Sequence, residues 1–253
     1  MIFDTHAHYD DEQFDEDREA LLESMKSGGV GTIVNVSASV ASWEAVLGLT
    51  EQYPFIYGAA GVHPDDVGDL NEENFAEMRQ ILMQKKMLAV GEIGLDYYWD
   101  KENHDLQKRW FIRQLELARE LSLPVLIHSR EAAADTLEIM KSHAQGLGGV
   151  IHCFSYSVEL AREYVKMGFY IGIGGVVTFK NSKKLKETVK EIGLESLVLE
   201  TDCPYLAPVP NRGKRNSSLN LVYVAEEIAQ LKGISREEVI EQTEKNARKL
   251  YQL

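Results

Sequence analysis

The chain has 253 residues, with 27 Lys and Arg against 40 Asp and Glu, for a formal charge of −13. Such a field repels polyanions in bulk and excludes a histone-like or basic-tail coat for nucleic acid. A composition 44% hydrophobic and 26% charged is that of a globular chain with an ample core, not a disordered one.

In chain order, a β-run at residues 2–8 leads to an amphipathic helix at 15–27, which stops at Gly28-Gly29. A strand at 32–36 is followed by a helix at 41–53, ended by Pro54. The third strand, 56–63, runs on to a fourth at 88–95 with no helix assigned between them. Then come a helix at 106–121, a strand at 125–128, a helix at 131–143, a strand at 150–154 and a helix at 158–167. A strand at 169–173, a helix at 183–192, a strand at 197–202 and helices at 219–231 and 236–250 complete the chain. Gly168 and Gly193 stand where helix C-caps are expected. Most strands are continuous aliphatic or β-branched runs, the mark of strands buried on both faces.

Eight strands alternating with helices in about 250 residues have the size and rhythm of a (β/α)₈ TIM-type barrel. The competitor, a doubly wound sheet, would want a glycine fingerprint after the first strand, and Thr5-His6-Ala7-His8 stands there instead. A single domain over residues 1–253 is expected. No stretch approaches the roughly 20 apolar residues of a membrane span. The opening residues lack the basic and apolar regions of a signal peptide. Cys153 and Cys203 form no Cys-x-x-Cys, so a reducing cytoplasmic setting is expected. Both should be free thiols facing the barrel–helix layer, because each directly follows an inward residue. Trp43 and Trp110, on helical spacing, read as core.

Five of the seven histidines, His6, His8, His63, His128 and His152, fall at predicted strand C-termini. In a barrel all those ends open on one face, so residues far apart in sequence converge there. His6 and His8 are two apart on a strand and share a side, a spacing at which two imidazoles can bite one ion. Glu92 ends the fourth strand and Asp202 the eighth, and buried carboxylates are costly unless paired or bound to metal. Four nitrogens and two carboxylates exceed the needs of one four-coordinate ion and suit a two-metal site with a bridging carboxylate. Strand adjacency groups His6, His8 and Asp202 on one ion and His128 with His152 on the other, bridged by Glu92. Mixed nitrogen and oxygen donors leave Zn²⁺, Mn²⁺, Mg²⁺, Fe²⁺ and Ni²⁺ open.

The motifs Asp4-Thr5-His6-Ala7-His8, Gly61-Val62-His63-Pro64, Gly91-Glu92-Ile93-Gly94-Leu95-Asp96, His128-Ser129-Arg130, His152-Cys153-Phe154-Ser155, Glu200-Thr201-Asp202-Cys203-Pro204-Tyr205-Leu206 and Asn211-Arg212-Gly213-Lys214-Arg215-Asn216 occur in that order. With them the chain resembles the TatD-family metal-dependent deoxyribonucleases over its full length. It departs from them at Asp65, where many relatives have histidine. The resemblance implies a metal-dependent hydrolase that cleaves DNA phosphodiesters, often 3′→5′ on single strands. It also implies that His6, His8, Glu92, His128, His152 and Asp202 are ligands.

Asp202 is the expected general base, and His63 is expected to bind the scissile phosphate or steady the leaving oxygen, or else to stand behind the ligands. Arg130 either binds phosphate or pairs with Glu200. Arg212, Lys214 and Arg215, on the loop after the eighth strand, could track a nucleic-acid backbone. Tyr97, Tyr98, Trp99 and Tyr205 could stack bases or pack as a lid, with packing favoured for Trp99. The expected partner is DNA, as a single strand or strand end presented to one pocket, with no membrane; protein partners and oligomeric state, a monomer among the options, are left open. The alternative activity is C–N or ester hydrolysis of a small molecule. Glu92, in place of a lysine open to carboxylation, argues against it.

Overall fold

The computed structural model describes residues 1–253. Its strands are β1 (Ile2–Ala7), β2 (Val30–Val36), β3 (Ile56–Ala60), β4 (Met87–Asp96), β5 (Val125–Arg130), β6 (Gly149–Ile151), β7 (Phe169–Ile173) and β8 (Leu197–Leu199). They pair side by side in chain order, each pair parallel. The first and last meet at one bridge, Ala7 to Cys203, which nearly closes a barrel. The helices between are α1 (Arg18–Ser24), α2 (Trp43–Gln52), α3 (Glu72–Leu82), α4 (His104–Leu121), α5 (Ala133–His143), α6 (Val158–Lys166), α7 (Lys183–Glu191), α8 (Leu221–Lys232) and α9 (Arg236–Tyr251).

Two apolar layers hold this arrangement. The larger lies between strands and helices and includes Trp43, Phe111 and Trp110, all buried. The smaller fills the barrel's interior with Phe3, Val34, Ala59, Ala89, Leu126, Val150 and Val198, and α9 plugs one end with Ala247 and Tyr251. The Phe3 and Tyr251 rings stack there at 5.8 Å.

Parity along the strands decides what reaches the mouth. Leu126 and Val150 point inward, so His128 and His152, each two residues on, do the same. On β1 and β4 the simple alternation would fail, because Phe3 and Ala89 already face inward. The register shifts between Asp4 and Ala7 and again between Val90 and Ile93. Each shift inserts a residue and switches the side chains that follow to the opposite face. His6, His8 and Glu92 therefore point into the barrel.

The β1–β8 seam is short of backbone pairing and is held by a buried carboxylate. Asp4 accepts from Thr201 N–H at 3.0 Å, Thr201 Oγ1 at 2.7 Å, Ser218 Oγ at 2.6 Å and His6 N–H at 3.2 Å. Asp4→Ala should cost about 3 kcal/mol of stability, because buried donors on β1, on the segment after β8 and on the loop beyond lose their shared acceptor. Urea unfolding measures this, and a loss under about 1 kcal/mol would mean the seam does not depend on Asp4.

The structure differs from the sequence expectations in three places. An unassigned helix, α3, follows β3. Asn71 caps it with a side chain that accepts from the Glu73 and Asn74 N–H groups, but only Met78, Ile81 and Leu82 of its residues are buried. The expected total of eight helices omits α3 and is made up by α9, a second helix after β8. Gly193 is not a left-handed cap: its φ is −58° and it precedes a 3-10 turn, whereas Gly168 has the positive φ of 91°. β3, β6 and β8 end earlier than expected, so His63, His152 and Asp202 stand beyond their strands.

Candidate active site

The strands' C-terminal ends open into a cavity of about 910 Å³ lined by His8, His63, His128, His152, Glu92 and Asp202, among others. His6, almost wholly buried, stands behind them, its Nε2 beside His8 Nε2 and Glu92 Oε2.

Nitrogen and oxygen atoms crowd together there. His6 Nε2 and His8 Nε2 lie 3.1 Å apart. Glu92 Oε2 is 3.4 Å from His6 Nε2, and Asp202 Oδ1 is 3.3 Å from His8 Nε2. Donors about 2.0–2.1 Å from a tetrahedral ion sit about 3.3 Å from one another, so this spacing fits a cation between them. Glu92 faces both ways. Its other oxygen, Oε1, is 2.8 Å from His128 Nδ1 and 3.6 Å from His152 Nε2.

The grouping differs from the strand-adjacency expectation. His152 stacks on His6 at 3.5 Å and comes within 3.6 Å of Asp202 Oδ1, so it clusters with His6 and Asp202. His128 clusters instead with Glu92 and His63. Its Nε2 also lies 2.9 Å from Asp96 Oδ2, a buried partner that sequence reasoning quoted within a motif but gave no role.

Electrostatics follow from burial opposed by neighbours. Burial alone would raise the Glu92 carboxyl, but His152, His6 and His128 hold it well below its ordinary range. Asp202 is likewise held low, by His152 and His8, against burial. The imidazoles answer in kind. Against burial, Asp202 and Glu92 push His8 up to about 9, and Asp96 and Glu92 push His128 up to about 9. Glu200, Glu92 and Asp202 together push His152 up to about 10. Protonated imidazoles here carry the positive charge that the carboxylates demand, and a bound cation would displace those protons.

His63 goes the other way: burial and His128 lower it to about 4. Its Nδ1 accepts the Asp65 N–H at 3.2 Å, so the neutral ring carries its proton on Nε2.

Arg130 does not pair with Glu200. Its guanidinium lies 4.0 Å over the Tyr98 ring and 5.4 Å over Trp99, at the cavity's rim. Glu200 instead accepts the Cys153 N–H at 2.5 Å and lies 3.2 Å from His152 Nδ1. Trp99 is 66% exposed, which overturns its expected packing role. Tyr97 does pack, stacked 3.6 Å from His104. Tyr205 lines the cavity and donates to Asp11 Oδ2 at 2.8 Å.

The basic loop is largely engaged elsewhere. Arg215 binds both oxygens of Asp17, at 2.8 and 2.6 Å, and Arg212 lies 4.3 Å over Phe179. None of Arg212, Lys214 and Arg215 lines the cavity. Both cysteines are free thiols. Cys203 is buried as expected. Cys153 is not in the helix layer, because its φ of 46° breaks the strand alternation and brings it to the cavity wall.

Imidazoles and carboxylates gathered at the C-terminal mouth of a (β/α)₈ barrel define the class of metal-dependent barrel hydrolases. Within that class the chain belongs to the TatD-related DNase family, whose model matches residues 3–252. It is similar over its whole length to the metal-dependent hydrolase YabD of Bacillus subtilis, with 46% identity and 100% of both chains covered. It is 34% identical to the metal-dependent hydrolase YcfH of Escherichia coli, covering 100% of this chain and 96% of that one. The solved structure of YjjV, a TatD homologue from E. coli, superposes with a TM-score of 0.94 at 31% identity, covering 100% of this chain and 98% of that one.

Proposed function

We propose that this hydrolase cleaves DNA phosphodiesters, removing nucleotides 3′→5′ from single-stranded ends with the help of two divalent ions. The observation that carries this is the two-sided Glu92 carboxylate, with Oε2 toward His6 and His8 and Oε1 toward His128 and His152. The ions would be held among His6, His8, His152, Asp202 and Glu92 on one side and Glu92 and His128 on the other. Zn²⁺, Mn²⁺, Mg²⁺, Fe²⁺ and Ni²⁺ all suit such donors. Bound there, they would polarise a phosphoryl oxygen and acidify a water molecule.

The chain's own residues do the rest. The Asp202 side chain is 19% exposed against 6% for Glu92, so it is the carboxylate that meets the attacking water, orients it and takes its proton. The His63 Nε2–H donates to the phosphate or to the departing oxygen. Arg130 steadies a phosphoryl oxygen while Tyr98 and Trp99 offer a base an aromatic face. Free thiols at Cys153 and Cys203 agree with a cytoplasmic setting, and no helix is long and apolar enough to cross a membrane. We read residues 1–253 as one domain.

The cavity's charge favours a strand end over a strand laid across the mouth. It is lined by seven carboxylates and one guanidinium, and Asp10, Asp11, Asp65 and Asp66 stand at the rim. Few phosphates can be neutralised at once. The logarithm of kcat/KM against the logarithm of salt should therefore have a slope of about −1, against about −5 for a protein that neutralises seven phosphates along a strand.

The test is hydrolysis of labelled single-stranded DNA by protein loaded with Mn²⁺, beside His6→Ala and an EDTA-stripped sample. Release of terminal nucleotides that EDTA abolishes supports the reading, and a slope steeper than about −4 would overturn the strand-end part of it. The acidic rim also suits a small neutral ester or amide, which is the second reading. Turnover of such a compound with no cleavage of any nucleic acid would establish it instead.

A further inference from the structure

Glu200 has no place among the donors that face the cavity, yet it is 1% exposed and sits inside the barrel. A buried carboxylate needs a reason and partners. Room for it is carved from β7: a Cβ on Gly172 would collide with the Glu200 carboxylate, and one on Gly174 would press on the Glu200 backbone. Its two oxygens have separate duties. Oε1 accepts the Cys153 N–H at 2.5 Å, and Oε2 lies 3.2 Å from His152 Nδ1, two buried atoms with no other polar partner, so that a small turn of the ring or carboxylate aligns them. The remaining ring nitrogen, His152 Nε2, faces Glu92 Oε1 and Asp202 Oδ1, each at 3.6 Å. No Lys or Arg pairs with Glu200, since Arg130 lies over Tyr98.

We propose that Glu200 is the positioning residue of the metal centre: it holds the proton of His152 on Nδ1 and so keeps the Nε2 lone pair aimed at the cavity. The inference rests on the metal centre of the proposed function. The physical reason is polarity. An ionised carboxylate only accepts, so its neighbour on His152 must be the donor Nδ1–H. A neutral imidazole carries one N–H, which leaves Nε2 free as the ligand atom. The same anion raises the basicity of that ligand, as carboxylates behind metal-bound histidines do. Anchoring Oε1 on the Cys153 backbone stops the carboxylate from rotating away.

Glutamine separates this role from space-filling. Glu200→Gln keeps the volume and keeps an oxygen for the Cys153 N–H. Its amide nitrogen then faces His152 Nδ1 and donates to it, which forces the ring proton to Nε2 and blocks the lone pair. The apparent Kd of the metal-free protein for Mn²⁺ and Zn²⁺, measured by competition with a chromophoric chelator, should weaken roughly 10- to 100-fold in Glu200→Gln. Melting temperature should stay near that of the wild type. Cys153→Ser, which keeps the backbone N–H, should bind both metals as the wild type does.

A second measurement needs no variant. In the Zn²⁺-loaded wild type, long-range ¹⁵N correlation spectra should show His152 protonated at Nδ1 and coordinated through Nε2. Coordination through Nδ1, wild-type affinity in Glu200→Gln, or an equal loss of affinity in Cys153→Ser would each overturn the positioning role. The last would mean that Cys153 and Glu200 are ligands themselves. If the wild type bound no divalent ion at all, the metal centre itself would fall, and the positioning role with it.

Discussion

Glu92→Gln should lower kcat/KM on a phosphodiester by roughly 10³-fold or more, the scale of removing a charge at the centre of a preorganised site. Its two carboxylate oxygens face different parts of the donor set. Its Oε2 lies 3.4 Å from His6 Nε2, and its Oε1 lies 2.8 Å from His128 Nδ1. A glutamine presents one oxygen and one amide group, so one half loses its acceptor and gains a donor that opposes an imidazole N–H or a cation. The imidazoles also lose one of the anions that, against burial, hold them up to about 9: Asp202 and then Glu92 for His8, Asp96 and then Glu92 for His128. Elemental analysis after dialysis should show metal content falling from the proposed two ions per chain toward one. An active variant with two ions bound would remove Glu92 from the bridging position.

How the chain encodes this site explains what could be read from sequence. The barrel was legible because buried parallel strands are written as unbroken aliphatic runs, such as Val125-Leu126-Ile127, and because glycine or proline stops the helices between them. Histidines at strand ends converge by topology alone, so separations of more than a hundred residues were no obstacle. The bulges of β1 and β4 were not legible. In simple alternation His6 would share a face with Asp4, yet Asp4 binds Thr201 across the seam while His6 faces the cavity. A bulge is set by the neighbouring strand's register, which one strand's sequence does not contain.

The same limit hid Cys153, whose positive φ breaks the alternation. It also hid the partner of Glu200. The sequence offered Arg130 by charge, whereas space beside Gly172 and the His152 ring decided the matter. The helix α3 escaped because most of its first turns are polar and exposed, leaving only the Asn71 cap as a signal. For the basic loop, composition suggested a nucleic-acid track, but Asp17 takes up Arg215 in a two-point ion pair. Charge in sequence does not say whether it is already neutralised in the fold.

Asp202→Asn should lower kcat by about 10²- to 10⁴-fold, the range for loss of a general base, with KM and metal content little changed. Asparagine is the informative replacement because Asp202 has a φ of 57°, a left-handed conformation that Asn tolerates as Asp does and other side chains resist. The backbone turn that aims the side chain is thus kept. The amide oxygen can still face His8 Nε2, where Asp202 Oδ1 now stands at 3.3 Å, so a ligand atom survives. What is lost is an oxygen able to accept a proton. The surrounding imidazoles make that loss hard to cover. His8 and His152 are drawn up to about 9 and about 10 by their carboxylate neighbours against burial, so without metal they hold protons already, and with metal their lone pairs are spent. Glu92 is turned inward between two clusters and is less open to water. Single-turnover kinetics at saturating Mn²⁺ would read the chemical step directly. If Asp202→Asn cleaved DNA at the wild-type rate with its metal bound, the proton must leave by another group.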